Sequence, residues 1–371
     1  MESVSASTLA PETASPRERI WLNSLLGLLD SLLIPAASLL ASLVVFALFI
    51  LITGNSPVEV LAEMYRGAFG TWFSFQNTLL RAAPLMLTGL CTALPARLGL
   101  IIIGGEGAMV VGGVAAAAMG VSMSGSSPYV VLGMMMLAAM VVGGLWIGLA
   151  GALKVYRGVN ETISSLLLAY LGIALLNHLV EGPLKDPASL NKPSTVHIGE
   201  ANMLGNMPGL DVHYGLLFGL IACVGTWLVM DHSVFGFSGR IVGGNNRAAR
   251  LSGLGVPKLV ILTCAIAGAA AGVAGMVEVA AVHGKANASL MTGYGYTGIL
   301  VAFLARQHSL AIIAVAVLLG GIGASGGLLQ RTFGLPDATV SVLQGIIFVM
   351  LLVGESFRGK WKLSRLAGST A

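Results

Sequence analysis

Long, unbroken apolar tracts fill most of this 371-residue chain, and polar residues collect in the short connections between them. The tracts neither alternate with period two nor carry a single apolar stripe, so they read as helices that are apolar all round. A helix needs about 20 such residues to cross the hydrocarbon of a bilayer. Ten segments fit: 31–52, 79–96, 101–121, 128–152, 162–180, 212–230, 258–281, 293–306, 309–329 and 339–354. The eighth is short, and the second and third nearly touch across Ala96–Leu100. The pattern predicts an all-α, polytopic protein of about ten transmembrane helices. A transmembrane barrel is excluded, because its strands would alternate. Residues 1–30 form a polar, Ser/Pro-rich leader, 31–355 the transmembrane domain, and 356–371 a basic tail. Two connections are long enough to carry shape: 181–211, which holds four prolines and should be an ordered or semi-ordered lid, and 231–257.

Composition sharpens this. Only 10% of the residues are charged and 56% are hydrophobic, far from the quarter or so charged in a soluble domain. Fifty glycines against a 6% aromatic share suit helices packed by close backbone approach, the usual device where lipid removes the ordinary hydrophobic drive. Cys91, Cys223 and Cys264 lie singly in apolar runs, which points to buried small side chains rather than a metal site or disulfide framework.

Charge then sets orientation. With a cytoplasmic N-terminus, 14 of the 20 basic residues fall on the inside, among them Arg240, Arg247, Arg250 and Lys258. That bias follows the positive-inside rule, and an even number of spans returns the C-terminus to the cytoplasm. The pI of about 9.1 is thus a record of topology, and no nucleic acid is needed to explain it.

Several chemistries are missing. There is no G-x-x-x-x-G-K-[ST] phosphate cradle, so the chain has no P-loop with which to hydrolyse ATP. Gly293-Tyr294-Gly295-Tyr296-Thr297-Gly298 matches G-x-G-x-x-G, but no strand precedes it, and the dinucleotide reading fails without a βαβ unit. The six histidines are scattered at helix ends and loops. No metal ligand set and no catalytic cluster emerges, which argues against a membrane-embedded enzyme.

Few ionisable residues remain inside the spans, where a charge costs roughly 2.5–3.5 kcal/mol. Glu106 is one, about five residues into the third segment among Gly104, Gly105 and Gly107; it either braces a neighbouring helix or faces a water-filled path. Glu278 is placed at a solvated rim near His283 and Lys285. The fifth segment opens with Asn160 or Thr162 as cap and Glu161 at the positive dipole end. Ser164 and Ser165 follow on one face, either to bond across helices or to line a channel. In 231–257, Arg240, Arg247 and Arg250 flank RAARLSG between the turns GGNN and Gly255-Val256-Pro257. A short helix between turns fits the groove of another protein; anionic lipid is the competing contact.

Four stretches carry a family resemblance: GGEGAMVVGGVAAA (104–117), VNETISSLLLAY (159–170), GGNNRAARLSGLGV (243–256), and TGYGYTGILVAFLARQHSLAI (292–312) with GLPDATVSVLQGIIFVML (334–351). Together they resemble the permease subunit of bacterial ABC importers, nearest the simple-sugar and nucleoside branch of the ribose/branched-chain amino acid permease family. The resemblance implies a multi-pass protein of the bacterial plasma (inner) membrane that forms the path for a small polar solute. It also implies partners: a second permease, more often a paralogue than a copy of itself, an ATP-binding cassette ATPase, and an extracytoplasmic solute-binding protein. ATP and magnesium would bind the ATPase, leaving this chain without a cofactor. Carried over by position, Asn245, Arg247, Ala248, Ala249, Arg250 and Gly253, with Arg240 beside them, would form the ATPase-coupling loop. Gly104, Gly105, Glu106, Asn160, Glu161, Ser164 and Ser165 would lie near the translocation path. The chain departs from the family pattern at Ile102, Ala108, Ala169, Asn246 and Ala305–Ser309, exchanging polar for apolar side chains at several of them. An ion-coupled secondary transporter is the alternative, and would require more mid-membrane charge than Glu106.

Overall fold

The computed structural model describes residues 35–189 and 191–356, so the leader 1–30 and all of the tail but Ser356 lie outside the described residues. The helices run α1 (Pro35–Ile52), α2 (Pro57–Tyr65), α3 (Trp72–Ala96), α4 (Gly105–Ser122), α5 (Pro128–Arg157), α6 (Glu161–Glu181), α7 (Gly215–His232), α8 (Val234–Gly244), α9 (Asn246–Leu251), α10 (Val256–Val277), α11 (Tyr294–Leu304), α12 (Ser309–Phe333) and α13 (Ala338–Ser356). One wide turn, Glu278–His283, prolongs α10. Extended pairing among the described residues is confined to two isolated bridges, Ser194 with Asn287 and Asn206 with His213. The described residues fall into two compact units: one takes α1 to Leu48 and α13 from Gly345, the other Phe49–Gln344. Everything that follows concerns the second.

Nine described helices are long and apolar enough to cross a membrane. The segment expected at 293–306 forms only α11, of 11 residues. At 1.5 Å per residue that is about 16 Å, half the hydrocarbon thickness. The second and third expectations also need correction. Helix α3 begins at Trp72, seven residues before the expected start, where Thr71 Oγ1 accepts the Ser74 N–H at 3.0 Å. Helix α4 begins at Gly105 rather than 101. Between them the chain turns at Gly99 (φ 76°) and runs back into the bundle non-helically, burying Leu98, Leu100 and Ile102.

Helix α7 joins the 183–214 connection to the 231–257 connection, so these lie at opposite ends of the bundle. Thr195 N–H donates to Ala286 O and Ile198 N–H to Gly284 O, both at 2.9 Å, which pins the first connection onto residues 284–287. From there the chain descends into the bundle to start α11. Helix α11 ends at the other pole, where Gln307 O accepts from Arg97 Nε at 3.1 Å. Helices α4 and α11 are therefore discontinuous elements that begin inside the bundle and run outward to opposite ends.

Helix α10 is the hub, packed on α5, α4 and α3. Its register is set by Gly272 and Gly275. A Cβ at Gly272 would overlap Ala139 O of α5, and one at Gly275 would overlap Met109 O of α4. The backbones can approach this closely only without side chains between them.

Gly275→Ala should therefore force α4 and α10 apart and cost about 1–3 kcal/mol. A lowered melting temperature of the detergent-solubilised protein is expected, whereas Gly225→Ala, with open space around its Cα, should leave it unchanged.

Candidate functional site

Three features stand out within the second unit: a junction of broken helices, a pair of polar cavities, and an arginine-bearing loop.

At the junction, Glu106 occupies the first turn of α4 and is 1% exposed. Its Oε1 accepts the Gly293 N–H at 2.8 Å and its Oε2 the Gly295 N–H at 2.6 Å. These are amides at the start of α11, which no helical carbonyl can satisfy. One carboxylate thus caps a helix begun in the bilayer, and the positive dipole ends of both α4 and α11 stabilise it. Gly295 must be glycine for this, since a Cβ there would overlap Glu106 N and Cα.

The non-helical run before α4 has the same problem and a different answer. Ile101 O accepts from Thr162 Oγ1 (2.9 Å), Ile102 O from Thr92 Oγ1 (3.2 Å), and Ile103 N–H donates to Ser165 Oγ (3.1 Å). Hydroxyls of α3 and α6 replace the missing helical partners, as irregular backbone in a membrane demands. Thr88 Oγ1 does the same for Tyr294 O at 3.0 Å. Ser165 therefore bonds between elements, and Ser164 Oγ turns back to Glu161 O at 3.3 Å. Asn160, rather than Thr162, caps α6, its Oδ1 accepting from Thr162 and Ile163 N–H. Glu161 pairs with Lys154 at 2.7 Å. Gly104, Gly105, Glu106, Asn160, Glu161, Ser164 and Ser165 are gathered by contacts that start and seat helices, and none lines either cavity described next.

A cavity of about 500 Å³ lies under the 183–214 connection, lined by Asn77, Arg81, Asn206, Asp211, His213, Glu278, His283, Thr292 and Tyr294 among others. A smaller one of about 110 Å³ is lined by Arg81, Thr292, Tyr294, Thr297, Asp337, Ser341 and Gln344. Arg81, Thr292 and Tyr294 border both, so Tyr294, held through the backbone by Glu106 and Thr88, stands at the partition. Glu278 is only 4% exposed and 3.7 Å from His283 Nε2, so the solvated rim expected for it is replaced by a cavity wall. Burial pushes the His213 imidazole down to about 4; it lines the larger cavity uncharged, with Nδ1 accepting the Gly215 N–H at 3.1 Å.

Arg81, with the second segment expected at 79–96, reads as a residue at the outer end of its helix. With α3 starting at Trp72, it sits nine residues, about 14 Å, into the helix, and an arginine at such depth marks a pathway. Recognising Trp72 and Phe73 as an interfacial belt would have revealed it.

The arginine loop is two helices. Asn245 breaks α8 from α9 (φ −155°, ψ 100°) and caps α9, its Oδ1 accepting the Ala248 N–H at 3.0 Å. Gly253 (φ 78°) ends α9, with Leu254 N–H reaching back to Ala249 O at 3.1 Å. Ala249 is fully buried and anchors the unit, while Arg247, Ala248 and Arg250 are exposed and Leu251 is 84% exposed. Among the described residues Arg247 and Arg250 make no ion pair. Arg240 differs: it donates to Met230 O at 2.9 Å and lies 3.6 Å from Asp231.

The family model described as branched-chain amino acid transport system, permease component, matches residues 74–352. The chain belongs to this permease family. A glucose ABC transporter permease of Haloferax volcanii is 31% identical to this permease, over 87% of this chain and 88% of that one. A guanosine ABC transporter permease of Bacillus subtilis is 29% identical, over 91% and 97%. A nucleoside ABC transporter permease of Lactococcus lactis is 23% identical, over 86% and 90%. This permease is a multi-pass membrane component of an ABC importer; ABC permeases are transport components rather than enzymes and act with ATPase and solute-binding partners.

Glu106→Gln replaces one acceptor oxygen by an amino group facing an N–H donor. The unpaired group should cost about 1–3 kcal/mol, read as a fall in thermal stability in detergent. Thr162→Val, which frees only Ile101 O, should cost less.

Proposed function

We propose that this permease carries a nucleoside or simple sugar, entering from the end that bears 183–214 and leaving at the end that bears 231–257. The latter would face the cytoplasm, as its arginines favour. The observation that carries the solute class is the smaller cavity. It sets one cation, Arg81, and one anion, Asp337, among hydroxyl and amide groups from Thr292, Thr297, Ser341 and Gln344. Opposite charges balance, so a neutral solute is not repelled, and hydroxyl-rich rings find both donors and acceptors. The nucleoside and glucose permeases to which the chain is similar support the same reading.

Glu106, with Gly104 and Gly105, and Asn160, Glu161, Ser164 and Ser165 would form the rigid frame behind this path. Arg247, Ala248, Arg250 and the exposed Leu251 would enter a groove of the ATPase, with Asn245, Ala249 and Gly253 shaping the helix and Arg240 tying it to α7. ATP and magnesium would be bound by that partner. A second permease, a paralogue, would complete the membrane part; two related guanosine permeases of Bacillus subtilis, both similar to this chain, support that pairing.

Two outcomes are expected in proteoliposomes holding the complete importer. Arg247→Glu with Arg250→Glu should release the ATPase from the purified complex and abolish uptake; retention of both would remove the loop's assigned role. Arg81→Gln should keep the complex intact and lower uptake of labelled guanosine or glucose, whichever the unaltered importer takes up, by about tenfold.

A further inference from the structure

The foot of the bundle contains an ionic knot that neither the path nor the docking surface uses. Arg97, the residue that ends α3, donates from Nη1 and Nη2 to both oxygens of Asp231 near the end of α7, at 2.6 and 3.3 Å. The same guanidinium donates from Nε to Gln307 O at 3.1 Å. Gln307 lies in the turn after α11, where Arg306 and Gln307 both hold positive φ (50° and 61°), an uncommon pair for non-glycine residues. Asp231 also faces Arg240 of α8 at 3.6 Å. On the other side, Gly243 of α8 lies so close to Arg97 O that a Cβ there would overlap it. Arg97 thus joins the arginine loop to the foot of α11, through its side chain by way of the Asp231 carboxylate that Arg240 also faces, and through its backbone against Gly243.

Helix α11, of 11 residues, spans from one anchor to the other without a break. Its foot is tied to Arg97, and its head carries Tyr294 at the partition between the two cavities. We propose that Arg97 is a positioning residue for coupling: movement of the arginine loop is passed through the Asp231–Arg97–Gln307 knot to α11, which shifts Tyr294 and changes access to the chamber. The inference rests on the reading that the ATPase docks on the loop. It requires the fork of arginine and not merely a positive charge, because one group must hold a carboxylate and a carbonyl together.

The test uses the complete importer with Thr292→Cys as a reporter. Thr292 is exposed and borders both cavities, whereas the three native cysteines are buried. Maleimide labelling of the reporter is compared without nucleotide and after trapping with ATP and vanadate. Otherwise unaltered complex should show a clear nucleotide-dependent change in labelling rate. Arg97→Lys and, separately, Asp231→Asn should keep the ATPase bound and its basal hydrolysis intact while reducing that change at least about fivefold. A structural ion pair alone would be rescued by lysine, so a normal response in Arg97→Lys overturns the proposal, as does a reporter that never responds in the unaltered background. Should Asp231→Asn fail to assemble, the lysine variant decides alone. Failure of the docking reading is separate: it appears as retention of the ATPase by the Arg247→Glu, Arg250→Glu variant.

Discussion

A backbone that leaves its helix inside a membrane must find hydrogen-bond partners there, and this constraint organises the protein around Glu106. Two amides at the head of α11 have no helical carbonyl to bond and need an acceptor from elsewhere in the chain. A carboxylate supplies two strong acceptors on a single side chain. It is itself tolerable at that depth only because two helix starts surround it. Removing either the carboxylate or the helix ends would leave the other uncompensated, so α4 and α11 exist as a pair.

The rest of the core is arranged to let that pair meet. Glycines on α10 bring α4 and α5 to within backbone contact. Hydroxyls on α3 and α6 take up the carbonyls and amide of 101–103. Thr92, Thr162 and Ser165 thus each have a reason to be polar that is unrelated to binding a solute. Among polar groups not spent on holding backbone, Arg81, Asp337 and Gln344 meet at the smaller cavity. In a chain so poor in charge, the proposed path rests on this division between groups that hold the fold and groups that remain available.

Much of this was legible in the sequence. Length and apolarity were enough to find the spanning helices, because lipid leaves few alternatives to them, while the shorter α2 and α8 went unforeseen. The short eighth segment was visible as an anomaly, and it proved to be the half-length α11. Glu106 was singled out by its isolation, and bracing a neighbouring helix was one of its two readings. What periodicity could not supply was the partner: Gly293 and Gly295 lie 187 and 189 residues away along the chain, and amides carry no side-chain signature. The start of α4 was misplaced because 101–103 are isoleucines, apolar in helix or strand alike, and only tertiary hydroxyls decide between them. Arg81 looked like an end residue because a window seeking apolar residues stops at polar Gln76 and Asn77, and so starts the helix seven residues late, just before the arginine.

The span between the two halves of the Glu106 junction has a consequence for biosynthesis. Ribosomes add on the order of 5–20 residues per second, so 187 residues separate the carboxylate from its first amide by roughly ten to forty seconds. Throughout that interval the nascent chain has a membrane-destined segment bearing an acid with nothing to receive it. Completion of the junction is thus a late checkpoint of assembly, and a polypeptide released before Gly293 would expose an unmet carboxyl group to membrane quality control.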